Sequence, residues 1–187
     1  MPLVVTGLII LNVLVFVLPY LVYFQGPSRD SFTNFLMLGW KENGAIEDGE
    51  YYRLLTAGFL HGSIVHLFFN MYSLWVVGRI IFLANLPVSF SPLQFVIIYF
   101  ASLLGGSLCS YWFNPSPSVG ASGALLGLLG ALLVLSLRYG YTGLFSNILT
   151  NLVILVVLGF TVGRIDNWGH LGGFLTGAGV SALYLFL

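Results

Sequence analysis

Residues 80–137 read IIFLANLPVSFSPLQFVIIYFASLLGGSLCSYWFNPSPSVGASGALLGLLGALLVLSL, and this run contains no Asp, Glu, Lys or Arg. A helix needs about 20 apolar residues to cross a hydrocarbon core roughly 30 Å thick, so the run is too long for one membrane span. Turn-forming residues interrupt it at 85–87 (NLP), 91–92 (SP) and 114–117 (NPSP). The stretch is therefore predicted to hold several transmembrane helices that are separated by short turns.

The rest of the chain has the same character. Of its 187 residues, 58% are hydrophobic and 6% are charged, and the mean hydropathy is +0.99. A soluble domain carries about 25% charged residues, so this composition indicates an integral membrane protein. The net charge of zero excludes a basic nucleic-acid platform. We predict one all-α membrane domain over 1–187 with six spans, at about 3–24, 58–80, 92–112, 120–138, 144–163 and 168–187.

The ends of these spans carry few charges. Residues 1–24 lack a basic start and a small-x-small cleavage site, so they are predicted to be a retained span and not a signal peptide. Loop 25–57 holds five of the six acids, and its aromatic residues favour a segment that lies partly embedded in the membrane interface. A solvated loop is the alternative. The Lys and Arg residues are too few for the positive-inside rule to fix the orientation.

Four polar residues within the predicted spans are functional candidates, because polar side chains are costly inside a bilayer. They are His66 and Asn70 in the second span, Ser122 in the fourth and His170 in the sixth. Even-numbered spans run in the same direction, and each candidate lies in the first half of its span. All four side chains are therefore predicted to meet in one layer near one face of the membrane.

The candidates suggest nucleophilic catalysis. A serine hydroxyl becomes a good nucleophile when a nearby imidazole takes its proton. Ser122 lies near a helix start, where free N–H groups would stabilise an oxyanion. Glycine stripes would let the fourth and sixth spans approach closely; they are Gly123, Gly127 and Gly130, and Gly173 and Gly177. We predict a Ser122–His170 dyad with His66 and Asn70 as oxyanion donors. No carboxylate completes a triad, since Asp166 is at the mouth of its span.

Other interpretations compete with this one. Each polar residue alone is explained by packing or by an interhelical hydrogen bond. His61, His66 and His170 could hold zinc in a metal hydrolase, although no intramembrane carboxylate supports such a site. His61 itself is predicted to be structural. The single cysteine, Cys109, excludes an internal disulfide and is predicted to be a buried, inert thiol.

Three motifs occur together and in order: His61-x4-His66-x3-Asn70, Gly120-Ala121-Ser122-Gly123 and Gly169-His170-x2-Gly173. With them, the chain resembles the rhomboid intramembrane serine proteases over essentially its whole length. The resemblance implies a six-transmembrane-helix rhomboid-like bundle with a water-filled cavity open to the extracytoplasmic side. It implies Ser122 as nucleophile, His170 as general base, and an oxyanion hole of His66, Asn70 and the Ser122 backbone N–H. The supporting residues are His61, Arg53, Gly120, Gly123, Gly169 and Gly173.

The resemblance also sets expectations about partners and location. Substrates would be single-span membrane proteins cut in or near the membrane. The protein itself would contact membrane lipids and would need no nucleic acid, metal or cofactor. The location would be the plasma (inner) membrane of a prokaryote, and the fifth span would gate substrate entry. Two departures from the family pattern are Tyr52-Arg53 in place of Trp-Arg, and Leu126 where many members have an aromatic residue. A proteolytically inactive, derlin-like relative that handles membrane proteins is the alternative function.

Overall fold

The computed structural model describes residues 2–22, 29–83, 86, 88–148 and 165–186. Within these ranges the regular structure is helical, and a single isolated bridge between Lys41 and Ser118 is the only β-type pairing. The helices are α1 (Leu3–Val22), α2 (Arg29–Met37), α3 (Asn43–Glu47), α4 (Arg53–Thr56), α5 (Ile64–Leu83), α6 (Pro92–Phe113), α7 (Ser122–Tyr139), α8 (142–148) and α9 (Asn167–Phe186). The predicted all-α fold is confirmed.

Four of the described helices are long and apolar enough to cross a membrane, namely α1, α5, α6 and α7. Helix α9 has 20 residues and is rich in glycine. The predicted fifth span, 144–163, overlaps the described residues only as far as 148 in α8, so its gating role lies outside them. The count of six spans therefore stays a prediction.

Local sequence signals explain where several helices begin and end. Helix α6 starts with a capping box, in which Ser91 Oγ accepts from the Gln94 N–H and Gln94 Oε1 accepts from the Ser91 N–H. Helix α7 ends at Gly140, whose φ of 71° is left-handed. Helix α5 begins at Ile64 and not near residue 58, because Ala57–Phe59 form a 3₁₀ turn and Leu60 is extended. His61 consequently lies ahead of α5.

Helix α7 lies at the centre of the bundle and packs against α6 and α9. Its apolar side chains Leu128, Leu132 and Leu135 are fully buried. They belong to one core cluster with side chains of α1, α5 and α6, including Leu74, Phe95, Ile98 and Tyr99. Large apolar side chains on the outer faces of α1 and α5 are exposed, as expected for helices that contact lipid.

Glycines bring the backbones of α7 and α9 into direct contact. A Cβ atom added to Gly173 would overlap the Gly123 carbonyl, and one added to Gly177 would overlap the Gly127 carbonyl. Helix α6 also approaches α9 closely, since a Cβ on Gly106 would be 2.7 Å from the Gly169 carbonyl oxygen. Close backbone packing of this kind is common between membrane helices. It places the first turns of α7 and α9 side by side.

Residues 29–63, which precede α5, are folded and held by polar contacts. Arg53 is buried, pairs with Glu50 and donates from Nη1 to the carbonyls of Met37 (2.7 Å) and Trp40 (3.2 Å). The Glu42 carboxylate accepts from the N–H groups of Gly44 and Ala45, and these bonds lower the pKa of Glu42. Several of the loop's acids therefore have local structural partners.

Candidate active site

Ser122 and His170 lie next to each other although they are 48 residues apart in the chain. Ser122 is the first residue of α7, and His170 is in the first turn of α9. The distance from His170 Nε2 to Ser122 Oγ is 2.8 Å, which is a normal hydrogen bond. The structure thus joins the two residues that the sequence selected as a nucleophile and its base.

A small cavity with a volume of about 40 Å³ lies beside this pair. Its lining includes both side chains together with Ser118, Gly120, Asp166 and Gly169. The wall therefore combines hydroxyl, imidazole and carboxylate groups with exposed backbone. A cavity of this size and polarity can admit water to the pair.

His66 lies against the backbone that precedes Ser122. Gly120 has a φ of 121°, and a Cβ at this position would be 2.7 Å from both Cε1 and Nε2 of His66. Glycine is therefore required at 120 for its backbone conformation and for the space that the imidazole occupies. The Ser122 N–H lies at a helix start, where no intrahelical acceptor is available. His66 therefore lies next to the backbone two residues before Ser122.

Asn70 is buried and lies one turn after His66 on α5. Its Nδ2 donates to the His66 carbonyl at 2.9 Å, so this amide is tied to its own helix. The two predicted oxyanion donors share one face of α5, as their i, i+4 spacing requires. A bond from Asn70 to a reacting oxygen would need its second amide hydrogen or a small change of rotamer.

His61 is almost fully buried beside His66, with the ring centroids 5.0 Å apart at an interplanar angle of 63°. Within the described ranges, neither ring nitrogen of His61 has a hydrogen-bond partner. Over those same ranges, no group of three His, Cys, Asp or Glu side chains is arranged to hold a metal ion. The geometry of His61, His66 and His170 thus gives no support to the zinc interpretation.

Comparison with known proteins identifies the family. The family profile described as "Rhomboid domain" matches residues 48–186, well over half of the chain. The Bacillus subtilis protein named "Rhomboid protease GluP" is 39% identical over 173 residues, which cover 90% of this chain and 32% of that protein. The chain belongs to the rhomboid family. The predicted recognition is confirmed, and with it an integral, multi-pass membrane protein.

Two plant relatives show the breadth of this rhomboid family. "RHOMBOID-like protein 6, mitochondrial" of Arabidopsis thaliana is 38% identical over 160 residues, covering 82% of this chain and 50% of that protein. "Inactive RHOMBOID-like protein 8" of the same plant is 32% identical over 156 residues, covering 81% and 42%. The chain spans about a third of the GluP relative and between 42% and 50% of these two plant relatives. The family thus includes a mitochondrial member and one named as inactive.

Asp166 is a residue of this rhomboid site that the sequence analysis placed only at the mouth of a span. It precedes α9, and its Oδ1 accepts from the Gly169 N–H at 2.9 Å. Its Oδ2 accepts from Ser110 Oγ of α6. Burial opposes ionisation, but these hydrogen bonds hold the pKa of Asp166 below its usual value. An acid directly before a helix start is the N-cap signal that could have identified it.

Lys41 is the second residue that the sequence analysis did not single out. It is fully buried, and its Nζ donates to the carbonyls of Asn114 (2.6 Å) and Ser116 (2.8 Å). Its backbone exchanges two hydrogen bonds of 3.0 Å with Ser118. Burial lowers the pKa of Lys41, while the charges of Asp166 and Glu42 oppose that change. Lys41 therefore fixes the loop that leads to Ser122.

Proposed function

We propose that this rhomboid-family chain is an intramembrane serine endopeptidase with Ser122 as nucleophile and His170 as general base. The observation that carries the proposal is the 2.8 Å hydrogen bond between His170 Nε2 and Ser122 Oγ in the cavity wall. A serine hydroxyl needs such a base to attack a peptide carbonyl. The name of the GluP relative, a rhomboid protease that matches 90% of this chain, agrees with this activity.

The reaction follows from the positions of these groups. His170 Nε2 takes the Ser122 proton while Oγ attacks the substrate carbonyl carbon, and a tetrahedral oxyanion forms. His170 then gives the proton to the leaving amine, and an acyl group remains on Ser122. A water molecule, deprotonated by His170, attacks this ester. His170 then returns the proton to Ser122 Oγ as the carboxyl product leaves, which restores the free enzyme.

The oxyanion would lie at the N-terminus of α7. Here the Ser122 N–H has no intrahelical acceptor and the helix dipole favours negative charge. His66 lies beside Gly120 and Asn70 follows it on α5, so both can add donors to this corner. Preformed donors of this type usually supply the largest electrostatic part of catalysis.

Two side chains form the acid–base unit in this proposal. The Asp166 carboxylate accepts from the Gly169 N–H and from Ser110, so it is engaged with the helix start and not with the imidazole ring. A Ser–His dyad works if the helices hold the imidazole in place. The tight glycine contact between α7 and α9 meets that requirement.

The proposed substrates are membrane proteins with a single transmembrane segment. The pair lies at the first turns of α7 and α9, near one end of the bundle, so a substrate must present an unwound carbonyl near the membrane surface. We place the protein in a prokaryotic plasma membrane with the cavity facing the extracytoplasmic side. Protease protection of tags on the two termini of the full chain tests this orientation.

A second candidate function is non-proteolytic handling of membrane proteins. The observation in its favour is the relative named "Inactive RHOMBOID-like protein 8", which covers 81% of this chain. Such a protein would bind membrane-protein partners without cutting them. The presence of both Ser122 and His170 in contact favours the protease.

One experiment separates the functions. Purified protein in liposomes is incubated with a single-span reporter, and cleavage is compared for wild type, Ser122→Ala and His170→Ala, each with and without EDTA. The protease predicts that both substitutions abolish cleavage and that EDTA has no effect. Ser136→Ala, at the far end of α7 with its hydroxyl bonded to Leu133, is the matched control and should cleave normally.

Other results would reject the proposal. Cleavage that survives Ser122→Ala, or that stops with EDTA, supports a metal hydrolase. A folded wild-type protein that binds the reporter but never cuts it supports the inactive relative.

A further inference from the structure

A polar network joins the loop after α2, the end of α6 and the start of α9 beside the catalytic pair. We propose that Asp166 is a positioning residue for the reaction: by capping α9 and binding α6, it fixes where the His170 imidazole stands relative to Ser122. The inference rests on the proposed protease function and deepens it. It concerns a residue that does not itself touch the reacting atoms.

Asp166 caps the N-terminus of α9. Asp166 directly precedes Asn167, the first residue of α9, and its side chain accepts from the Gly169 N–H at 2.9 Å. Its carbonyl oxygen accepts from the His170 N–H at 3.0 Å. One residue therefore binds two successive N–H groups of the first turn, and one of them belongs to the base. A carboxylate at this end also interacts favourably with the helix dipole.

Asp166 also contacts the neighbouring helix α6. Asp166 Oδ2 accepts from Ser110 Oγ near the end of α6. The same hydroxyl lies 3.3 Å from Ser118 Oγ, in the loop that enters α7 four residues later at Ser122. The carboxylate thus connects the start of the base's helix to α6 and to the approach of the nucleophile. A change here would move the two catalytic residues relative to each other.

Asp166 and Lys41 carry opposite charges and both bind Ser110. Lys41 is fully buried and reaches the Ser110 carbonyl from Nζ at 3.4 Å, so the two charges lie on either side of Ser110. The negative charge of Asp166 acts on Lys41 across this residue. Buried charges without partners are costly, which favours keeping both groups in place. The network is therefore a defined arrangement that resists displacement.

Glycine makes the cap possible at this point. A Cβ on Gly169 would lie 2.8 Å from Asp166 Oδ2, so a side chain there would push the carboxylate away. In the turn around His170, Trp168 packs on Phe113 of α6 with ring centroids 4.9 Å apart, while Gly169 and Gly173 carry no side chain. The cap and the bond to Ser110 therefore add polar contacts to this aromatic one.

The test compares Asp166→Ala with Asp166→Asn in the full chain in detergent. We expect Asp166→Ala to lower kcat for reporter cleavage about 100-fold with KM within about twofold, since a displacement near 1 Å costs that much. Asp166→Asn should recover kcat to within about tenfold of wild type, because asparagine caps helices as well as aspartate. Labelling of Ser122 by a fluorophosphonate should slow in parallel.

The controls distinguish positioning from general stability. Asp48→Ala removes an exposed acid of the same charge and should leave kcat unchanged. Thermal unfolding in detergent should shift by only a few degrees for Asp166→Asn. If Asp166→Ala fails to fold, Ser110→Ala replaces it, and we expect kcat about tenfold lower with KM unchanged, on the same displacement argument.

Two outcomes would overturn the positioning role, and a third would contradict the protease function. Wild-type kcat in Asp166→Ala, or in Ser110→Ala where the former does not fold, overturns the positioning role. Equal losses in Asp166→Ala and Asp166→Asn that track lost folded protein also overturn it. A wild-type protein that neither cleaves nor labels contradicts the protease function itself, which is a different failure from an Asp166→Ala variant that cleaves normally.

Discussion

The α7–α9 contact and the α1–α5 contact solve the same packing problem in different ways. Between α7 and α9, Gly173 and Gly177 lie directly on the carbonyl groups of Gly123 and Gly127. Between α1 and α5, the space beside Gly78 is filled by the methyl groups of Val5. A backbone contact cannot change without moving a helix, whereas the valine methyl groups hold the two backbones further apart.

This difference coincides with the division of roles in the site. The proposed nucleophile and base are carried by α7 and α9, whose separation is fixed by glycine. The two candidate donors, His66 and Asn70, are carried by α5, which packs through side chains. In the proposed mechanism the closer helix contact holds the hydrogen bond that must be accurate, and the looser contact holds groups that need only approach the oxyanion.

The largest effect is expected for Gly173→Ala. The new methyl group would overlap the Gly123 carbonyl, so α9 must move away from α7 and the hydrogen bond between His170 and Ser122 breaks. We expect kcat to fall by more than about 100-fold, because a misplacement near 1 Å already costs that much. Reporter cleavage and thermal unfolding measure the effect.

Gly179→Ala is the matched control for that variant. Gly179 lies on the same helix, α9, and a Cβ added there meets no atom within 4 Å. It should keep wild-type activity. If Gly173→Ala were as active as Gly179→Ala, the idea that backbone contact sets the catalytic distance would be wrong.

A smaller effect is expected for Asn70→Ala. Loss of one oxyanion donor should lower kcat by about 100-fold, the low end of the usual range, because other donors remain, and KM should change little. Asn12→Ala is the control: Asn12 is also buried and also donates to the carbonyl four residues earlier, at 2.8 Å, but it lies on α1. Steady-state cleavage of the reporter compares the two variants.

Two results would change the interpretation of Asn70. Equal activity in Asn70→Ala and wild type removes it from the oxyanion hole. Loss of folded protein in Asn70→Ala but not in Asn12→Ala assigns it a structural role in α5.

The smallest effect is expected for Gly78→Ala. The added methyl meets Val5 Cγ1 at 2.8 Å and Cγ2 at 2.9 Å, so the helices need to separate less than at Gly173, where the added atom would overlap the Gly123 oxygen. Overpacking costs about 1–3 kcal/mol, and the better helix propensity of alanine returns up to about 1 kcal/mol. We expect cleavage within about twofold of wild type and a melting temperature lower by a few degrees. An activity loss as large as that of Gly173→Ala would remove the distinction between the two contacts.

Much of the fold was accessible from local patterns in the sequence. Uncharged apolar runs locate α1, α6 and α7 within a few residues, because hydropathy is a sum over neighbouring residues. The start of α5 was harder to place, since the 3₁₀ turn at 57–59 is as apolar as the helix that follows. Hydropathy measures burial in lipid and does not distinguish one helical geometry from another.

The residues of the site also differ in how far the sequence predicts them. Ser122 and His170 could be selected because a serine and a histidine are unusual inside apolar spans and carry recognisable chemistry. The partners of Lys41 and Asp166 could not be predicted, because Lys41 binds carbonyls 73 and 75 residues away and Asp166 binds a hydroxyl 56 residues away. Nothing in the residues near each of them indicates those partners.

The sequence alone determined that this chain lies in a membrane, which residues can carry a reaction, and where glycine leaves room for helices to approach. Only the tertiary structure decided that Ser122 and His170 hydrogen-bond, and that a buried lysine and a capping aspartate bracket the end of α6. The physical reason is the range of each interaction. Hydropathy and helix capping act between neighbours in the chain, whereas a hydrogen bond between helices depends on how their backbones pack.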